Sequence, residues 1–195
     1  DIPDNASLYW QRHATAVRQA LSAVSSDQSV VLAGHSGAGP LLPALRQGIV
    51  QRVAAYVFVD AGLPRDNASR LDSFESPEAV AEFRQSAVNG LLPTWTDSDL
   101  AEVIPDAHVR RQLVTELRPM PLAVYEEPLP VFAGWPDAPC GYIRFSPVYD
   151  SALMEARQRG WPLRTFDAGH FHMLVEPGAV AAALIDVCKQ MGVIT

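Results

Sequence analysis

Short strand-like runs alternate with helical stretches along the chain, and this alternation limits the folds open to it. Residues 30–33 and 54–59 are uninterrupted apolar runs, which are typical of strands buried on both faces of a sheet. Residues 141–145 and 162–166 are two further candidate strands. Four strands that each precede a helix predict an α/β fold: a parallel sheet with right-handed crossovers and helices on both faces. Helical spacing of apolar residues predicts the helices over 6–24, 37–50, 151–159 and 177–191.

The alternation stops between residues 62 and 139. This segment contains many of the 16 prolines of the chain, with short helical stretches only at 77–88 and 106–117. Because proline restricts the backbone and interrupts helices, we expect a separate unit with stiff connections. The sequence therefore predicts a core of residues 1–61 and 140–195 that carries an inserted, mostly helical cap of residues 62–139.

The composition excludes several classes of protein. The 195 residues carry a net charge of −7 and no basic run, which argues against nucleic acid or an anionic membrane as partner. No apolar run approaches the ~18–20 residues of a membrane-spanning helix. The two cysteines lack the spacing of a metal or redox site and favour a reducing compartment, so we expect a cytoplasmic protein without a metal.

The strongest chemical signal is the segment GHSGAG at residues 34–39, which lies between a predicted strand and a predicted helix. A serine on such a sharp turn presents its hydroxyl at the carboxyl edge of the sheet. Ser36 is therefore a candidate nucleophile, and the N–H of Gly37 can stabilise a developing oxyanion. The alternative is a serine that caps a helix in a tight, glycine-rich connection.

Three segments in this order resemble the α/β-hydrolase superfamily. They are VVLAGHSGAG at 30–39, VFVDAGLP at 57–64 and GHFHML at 169–174. The resemblance is closest to the branch of small esterases, methylesterases and hydroxynitrile lyases, and it covers nearly the whole chain outside 62–139. It implies the α/β-hydrolase fold, with Ser36 as nucleophile and His170 as the base that removes its proton.

The acid that orients the histidine is left open between two aspartates. In the resembled branch it follows the strand at 141–145, where Asp150 is the first carboxylate and Val148 stands at the usual position. Asp60, at the end of the strand next to the nucleophile strand, is the other candidate. Each also has a structural explanation, because Asp150 can cap a helix and Asp60 can fix a turn.

The substrate pocket has aromatic candidates in the 62–139 segment and histidines near the motifs. A metal held by the pair His170 and His172 is not expected, because no further cluster of ligands accompanies it. The candidate pocket residues are His35, Phe83, Trp95, Tyr125, Trp135 and His172.

Together these features predict a serine hydrolase that cleaves a small-molecule ester or thioester through a Ser-His-Asp triad and an acyl-enzyme, without a cofactor. The same serine and histidine could instead serve a lyase, a cyclase or a transferase, or belong to a disabled ligand-binding module. No second oxyanion donor is found ahead of the first helix, and the nucleophile strand would lack neighbours on one side. We therefore expect a chain without the N-terminal strands of the resembled family.

Overall fold

A computed structural model describes residues 8–74 and 76–194. The strands are β1 (Ser29–Ser36), β2 (Arg52–Ala61), β3 (Leu91–Leu92), β4 (Met120–Pro121), β5 (Cys140–Arg144) and β6 (Leu163–Thr165). The helices are α1 (Tyr9–Ala20), α2 (Leu42–Arg46), α3 (Pro77–Gln85), α4 (Ala107–Glu116), α5 (Ala123–Glu126), α6 (Asp150–Gln158), α7 (His172–Val175) and α8 (Pro177–Gln190).

The main sheet has four strands in the order β1-β2-β5-β6, and every pair in it is parallel. Alternate side chains of β2 enter two separate cores. Tyr56 and Phe58 pack with α1, α2 and α6 on one face, whereas Val57 and Val59 pack with α8 on the other. The predicted parallel sheet with helices on both faces is thus confirmed. Within the described residues β1 is an edge strand, paired with β2 alone.

Two of the predicted helices differ in length from the structure. The helix predicted over 37–50 is confined to α2, and residues 37–41 form turns instead. The reason is Pro43, which is tolerated in the first turn of a helix but not in its interior. The helix predicted over 6–24 is observed as α1 followed by a 3₁₀ turn at Leu21–Ala23. Residues 6 and 7 lie outside the described residues.

The segment between β2 and β5 contains α3, α4, α5, a 3₁₀ helix at Arg70–Ser73 and an antiparallel pair of β3 with β4. Side chains set the starts of its two longer helices, because Ser76 accepts the N–H of Ala79 and Asp106 accepts that of His108. The strand pair was not predicted, since its partners lie far apart in sequence. The division into a core and a cap stays a prediction. Among the described residues, no helix combines the length and apolarity needed to cross a bilayer.

A comparison of two glycines tests how tightly the turn after β1 is packed. A Cβ on Gly39 would lie 2.6 Å from the carbonyl oxygen of Gly62 and 2.7 Å from the Cβ of Ala61, whereas a Cβ on Gly178 in α8 would meet nothing within 4 Å. We expect Gly39→Ala to lower the free energy of unfolding by about 1–3 kcal/mol. Gly178→Ala, the control, should raise it by up to about 1 kcal/mol. Urea denaturation measures both, and equal effects would contradict this packing.

Candidate active site

Ser36 lies at the end of β1 in a strained backbone conformation. Its φ angle is +56°, a value that residues other than glycine seldom adopt. The turn is closed by hydrogen bonds from the N–H of Ala38 to His35 O (3.0 Å) and from the N–H of Gly39 to Ser36 O (3.1 Å). A Cβ on Gly34 would lie 2.9 Å from the carbonyl oxygen of Ala38, so the chain can turn this sharply only with glycine there.

Asp60 lies in an irregularity of the neighbouring strand. The pairing of β1 with β2 shifts between His35 and Ser36, so that His35 is opposite Val59 but Ser36 is opposite Ala61. Asp60 is therefore the extra residue of a bulge, and its φ angle is +42°. A bulge bends its strand and redirects a side chain. Here the redirected side chain is a carboxylate at the carboxyl edge of the sheet.

The carboxylate of Asp60 is fully buried and joins three parts of the chain. It accepts hydrogen bonds from the N–H groups of Phe145 (2.7 Å) and Ser146 (2.8 Å) and from the Ser146 hydroxyl (2.8 Å). Its Oδ2 lies 2.6 Å from Nδ1 of His170. Burial opposes ionisation of Asp60, but the hydrogen bonds from His170, Ser146 and Phe145 outweigh it and hold the carboxyl pKa below its ordinary value.

Asp150, the other candidate acid, is engaged elsewhere. It is the first residue of α6, its side chain is 54% exposed, and its Oδ1 accepts from the Arg144 guanidinium at 2.7–2.8 Å. Within the described residues it makes no hydrogen bond to His170. The geometry brings Asp60, and not Asp150, to the imidazole of His170, so it favours Asp60 of the two candidate acids.

The histidine loop is held by His35, whose ring lies 4.4 Å from that of His170, centroid to centroid. Nε2 of His35 is 3.0 Å from the carbonyl oxygen of His170, an arrangement that requires a proton on Nε2. Burial, with the nearby His170 as a second cause, lowers the pKa of His35 to about 4. His35 is thus a neutral donor that fixes the backbone of His170, and it lines neither of the cavities described below.

Ser36 Oγ has a tyrosine as its hydrogen-bond partner. It lies 3.3 Å from Oη of Tyr149, and the Tyr149 ring stacks on the His170 ring with centroids 5.5 Å apart. No hydrogen bond joins Ser36 to His170 among the described residues, although such contacts often tighten only when substrate binds. The side chains of serine, histidine and aspartate nonetheless meet at one edge of the sheet.

The N–H of Gly37 is the expected oxyanion donor. Among the described residues it donates no hydrogen bond, so it is available to a ligand. The carbonyl oxygen of the same residue accepts from Nε of the buried Arg70 at 2.9 Å. Another nitrogen of Arg70 donates to the carbonyl oxygen of Val124, so that a single guanidinium ties the turn after β1 to α5.

Two cavities adjoin the site. One, of about 300 Å³, is lined by His170, Tyr149 and apolar or aromatic residues that include Trp95 and Phe171. The other, of about 630 Å³, is more polar and extends from Gly62 along the 3₁₀ helix at Arg70–Ser73 to α6. Val148 and Tyr149 line both cavities and so form the wall between them.

Four aromatic residues of the 62–139 segment were predicted to line the pocket, and Trp95 is the one that lines a cavity described above. Phe83 packs against Phe74 and Tyr125, with ring centroids 5.0 Å and 4.8 Å away, and neither Phe83 nor Tyr125 lines either cavity described above. Phe83 and Tyr125 thus belong to an aromatic cluster within the segment, and their role in a substrate pocket stays a prediction.

Trp135 and His172 also pack against other aromatic residues, and neither lines a cavity described above. Trp135 contacts Tyr56 in the core beneath the sheet, with ring centroids 5.7 Å apart. His172 packs against Phe145 and Phe166.

Sequence reasoning missed two residues of this site, Tyr149 and Ser146. Both follow β5, at the same sheet edge as Ser36 and Asp60. That position in the sequence could have indicated that they belong to the site. Among the residues that the structure describes, no group of three His, Cys, Asp or Glu side chains is arranged to hold a metal ion.

The low pKa of His35 predicts an acid-dependent loss of stability. The unfolded chain takes up a proton near the ordinary pKa of about 6.5, whereas the folded protein resists it until about pH 4. The stabilisation is therefore complete above about pH 6.5 and is lost as the pH falls toward 4, by about 2–3 kcal/mol. His35→Gln keeps an N–H donor without titrating, and should lose less stability between pH 7.5 and 4.5 in denaturant unfolding. Equal losses in the two proteins would contradict the prediction.

Comparisons with known proteins agree with this fold. An esterase from Nocardioides sp. (strain SG-4G) that hydrolyses carbendazim is 26% identical over 198 residues, which cover 87% of this chain and 76% of the esterase. An extracellular α/β-hydrolase from a Paenibacillus species superposes with a TM-score of 0.73 at 17% identity, over 95% of this chain and 81% of its own. A methylesterase from Arabidopsis superposes with a TM-score of 0.66 at 14% identity, over 92% and 78% of the two chains.

The sequence model of the alpha/beta hydrolase family matches residues 2–183. That match spans both the strands that carry Ser36 and Asp60 and the loop that carries His170. The resemblance read from the three sequence segments is confirmed, and the chain belongs to the α/β-hydrolase family.

Proposed function

We propose that this chain is a serine hydrolase that cleaves a carboxylic ester or thioester of a small molecule. The observation that carries the proposal is the buried Asp60 carboxylate, 2.6 Å from Nδ1 of His170, beside a serine on a strained turn. A serine hydroxyl is a weak nucleophile until an imidazole removes its proton. The names of the relatives, an esterase and a methylesterase among them, support the same class of reaction.

Asp60 selects the reactive form of the imidazole. A carboxylate that accepts the Nδ1 proton leaves the lone pair on Nε2, the nitrogen that must take the proton of Ser36. Because hydrogen bonds keep the pKa of Asp60 low, the carboxylate stays ionised and stabilises the imidazolium that forms.

The reaction proceeds in two halves. Ser36 Oγ forms a bond to the substrate carbonyl carbon while its proton moves to His170 Nε2, and the carbonyl electron pair moves onto oxygen near the N–H of Gly37. The electron pair then returns, the bond to the leaving alcohol or thiol breaks, and His170 delivers its proton to that group. A water molecule, activated by the same histidine, releases the acid and restores Ser36.

The acyl part and the alcohol part of an ester would each occupy one of the two cavities. The 300 Å³ cavity reaches His170 and has aromatic walls at Trp95 and Phe171, so it suits a small apolar group. The larger cavity beside Tyr149 has room for a bulkier and more polar part. Since residues of the 62–139 segment line both cavities, that segment acts as a cap that selects the substrate.

Replacement of the nucleophile tests the proposal most directly. Ser36→Ala should reduce hydrolysis of p-nitrophenyl butyrate by about 10⁴-fold or more, because the acyl-enzyme cannot form. A fluorophosphonate probe should label the unaltered chain at Ser36 and leave the variant unlabelled. Ser22→Ala, at an exposed serine far from the sheet edge, is the control and should keep both activity and labelling. Undiminished hydrolysis in Ser36→Ala would refute the proposal.

Paired aspartate variants test the acid. Asp60→Asn should lower kcat by about 10³–10⁴-fold, because an amide cannot hold the productive tautomer of His170. Asp150→Asn should change kcat less than about threefold, because its exposed pair with Arg144 contributes little. Steady-state kinetics at pH 7.5 measures both variants. A greater loss in Asp150→Asn than in Asp60→Asn would reverse the assignment.

A further inference from the structure

Tyr149 touches both the nucleophile and the base. It ends a 3₁₀ helix at Pro147–Tyr149 directly after β5. Its hydroxyl lies 3.3 Å from Ser36 Oγ, and its ring lies nearly parallel to the His170 imidazole, at an interplanar angle of 21°. The ring of Tyr149 therefore contacts His170, and its hydroxyl contacts Ser36.

The two fully buried tyrosines, Tyr56 and Tyr142, use their hydroxyls differently. Tyr142 donates to the carbonyl oxygen of Ala61 at 2.6 Å and accepts the N–H of the same residue. Tyr56 donates to Asp137 at 2.6 Å. Both hydroxyls thus have close structural partners, whereas the Tyr149 hydroxyl bonds, within the described part of the chain, to Ser36 alone and at a longer distance. Tyr149 is half-buried and lines both cavities, so its hydroxyl is placed to gain a stronger acceptor when substrate binds.

We propose that the Tyr149 hydroxyl donates a hydrogen bond to the carbonyl oxygen of the substrate as that oxygen becomes negatively charged. This inference rests on the proposed action of Ser36 as a nucleophile. It makes Tyr149 a catalytic residue that acts together with the N–H of Gly37.

The chemistry of the attack favours this transfer of the hydrogen bond. When Ser36 Oγ bonds to the carbonyl carbon, its proton goes to His170, and Oγ becomes an ether-like oxygen that accepts hydrogen bonds weakly. The electron pair of the carbonyl double bond moves at the same time onto the substrate oxygen, two bonds from Oγ. A hydroxyl that reached Oγ can reach this charged and much stronger acceptor by a small rotation.

The leaving-group oxygen has a better donor. The imidazolium of His170 is the stronger acid, so it supplies the proton that the leaving group needs, and the phenol serves the other oxygen. Burial raises the pKa of Tyr149, against the opposing effect of its hydrogen bond to Ser36. The phenol therefore keeps its proton throughout the cycle, and no proton transfer through it is required.

Tyr149→Phe tests the inference, because it removes one oxygen atom and keeps the ring that stacks on His170. We expect kcat for p-nitrophenyl butyrate to fall about 100-fold, as for loss of one oxyanion donor, with KM changed less than about threefold. Inhibition by an alkyl trifluoromethyl ketone, which forms a charged tetrahedral adduct with the serine, should weaken by a similar factor. The control is Tyr9→Phe, which removes the same atom from a tyrosine that lines neither of the two cavities, and it should leave all three quantities unchanged.

The outcomes separate this inference from the proposed function. If Tyr149→Phe keeps or increases kcat while a fluorophosphonate still labels Ser36 in the unaltered chain, the inference fails and the serine hydrolase stands. A role in packing alone would produce this result, because the ring remains. If the unaltered chain is neither labelled nor active, the proposed function fails first. Thermal unfolding of Tyr149→Phe within a few degrees of the unaltered chain establishes that the kinetic loss is not caused by unfolding.

Discussion

The arrangement of this site depends on one buried carboxylate. Asp60 has no exposed surface, so its charge must be balanced by donors within the protein. Those donors come from the end of β5 and from the histidine loop, through Ser146 and His170. The hydrogen bonds that stabilise the buried charge therefore also fix the positions of β2, β5 and His170 relative to one another. A side chain without an acceptor at position 60 would leave those donors unpaired and the histidine loop without its anchor.

Strain accompanies this arrangement at two adjacent positions. Ser36 and Asp60 both have positive φ angles, and they lie side by side where the pairing of β1 and β2 shifts. Such conformations cost about 1–3 kcal/mol each and persist only where the surroundings enforce them. In the serine turn, hydrogen bonds from the N–H groups of Ala38 and Gly39 and from Arg70 to the Gly37 carbonyl enforce the conformation. These strained conformations place a hydroxyl and a carboxylate at the same edge of the sheet.

Much of this could be predicted from the chain. Apolar runs indicated the strands of the main sheet, and the turn GHSGAG at 34–39 indicated Ser36, because a glycine-rich turn between a buried strand and a helix has few other uses. His170 followed from its segment and from the order of motifs. The pocket was predicted less well. The sequence does not show whether an aromatic residue such as Trp135 packs beneath the sheet or faces a ligand. Only the three-dimensional course of residues 62–139 distinguishes the two.

The sequence by itself thus determined the layered α/β architecture and singled out Ser36 and His170 as candidate nucleophile and base, since periodicity and local turn chemistry act over a few residues. The tertiary structure decided which aspartate meets the histidine. Asp60 lies near the end of one parallel strand and Asp150 follows another, and no local pattern separates them. A one-residue bulge aims Asp60 at His170, while Arg144 engages Asp150 at the surface. The tertiary structure also brought Tyr149 to Ser36, a contact across 113 positions of the chain that depends on the register of β1, β2 and β5.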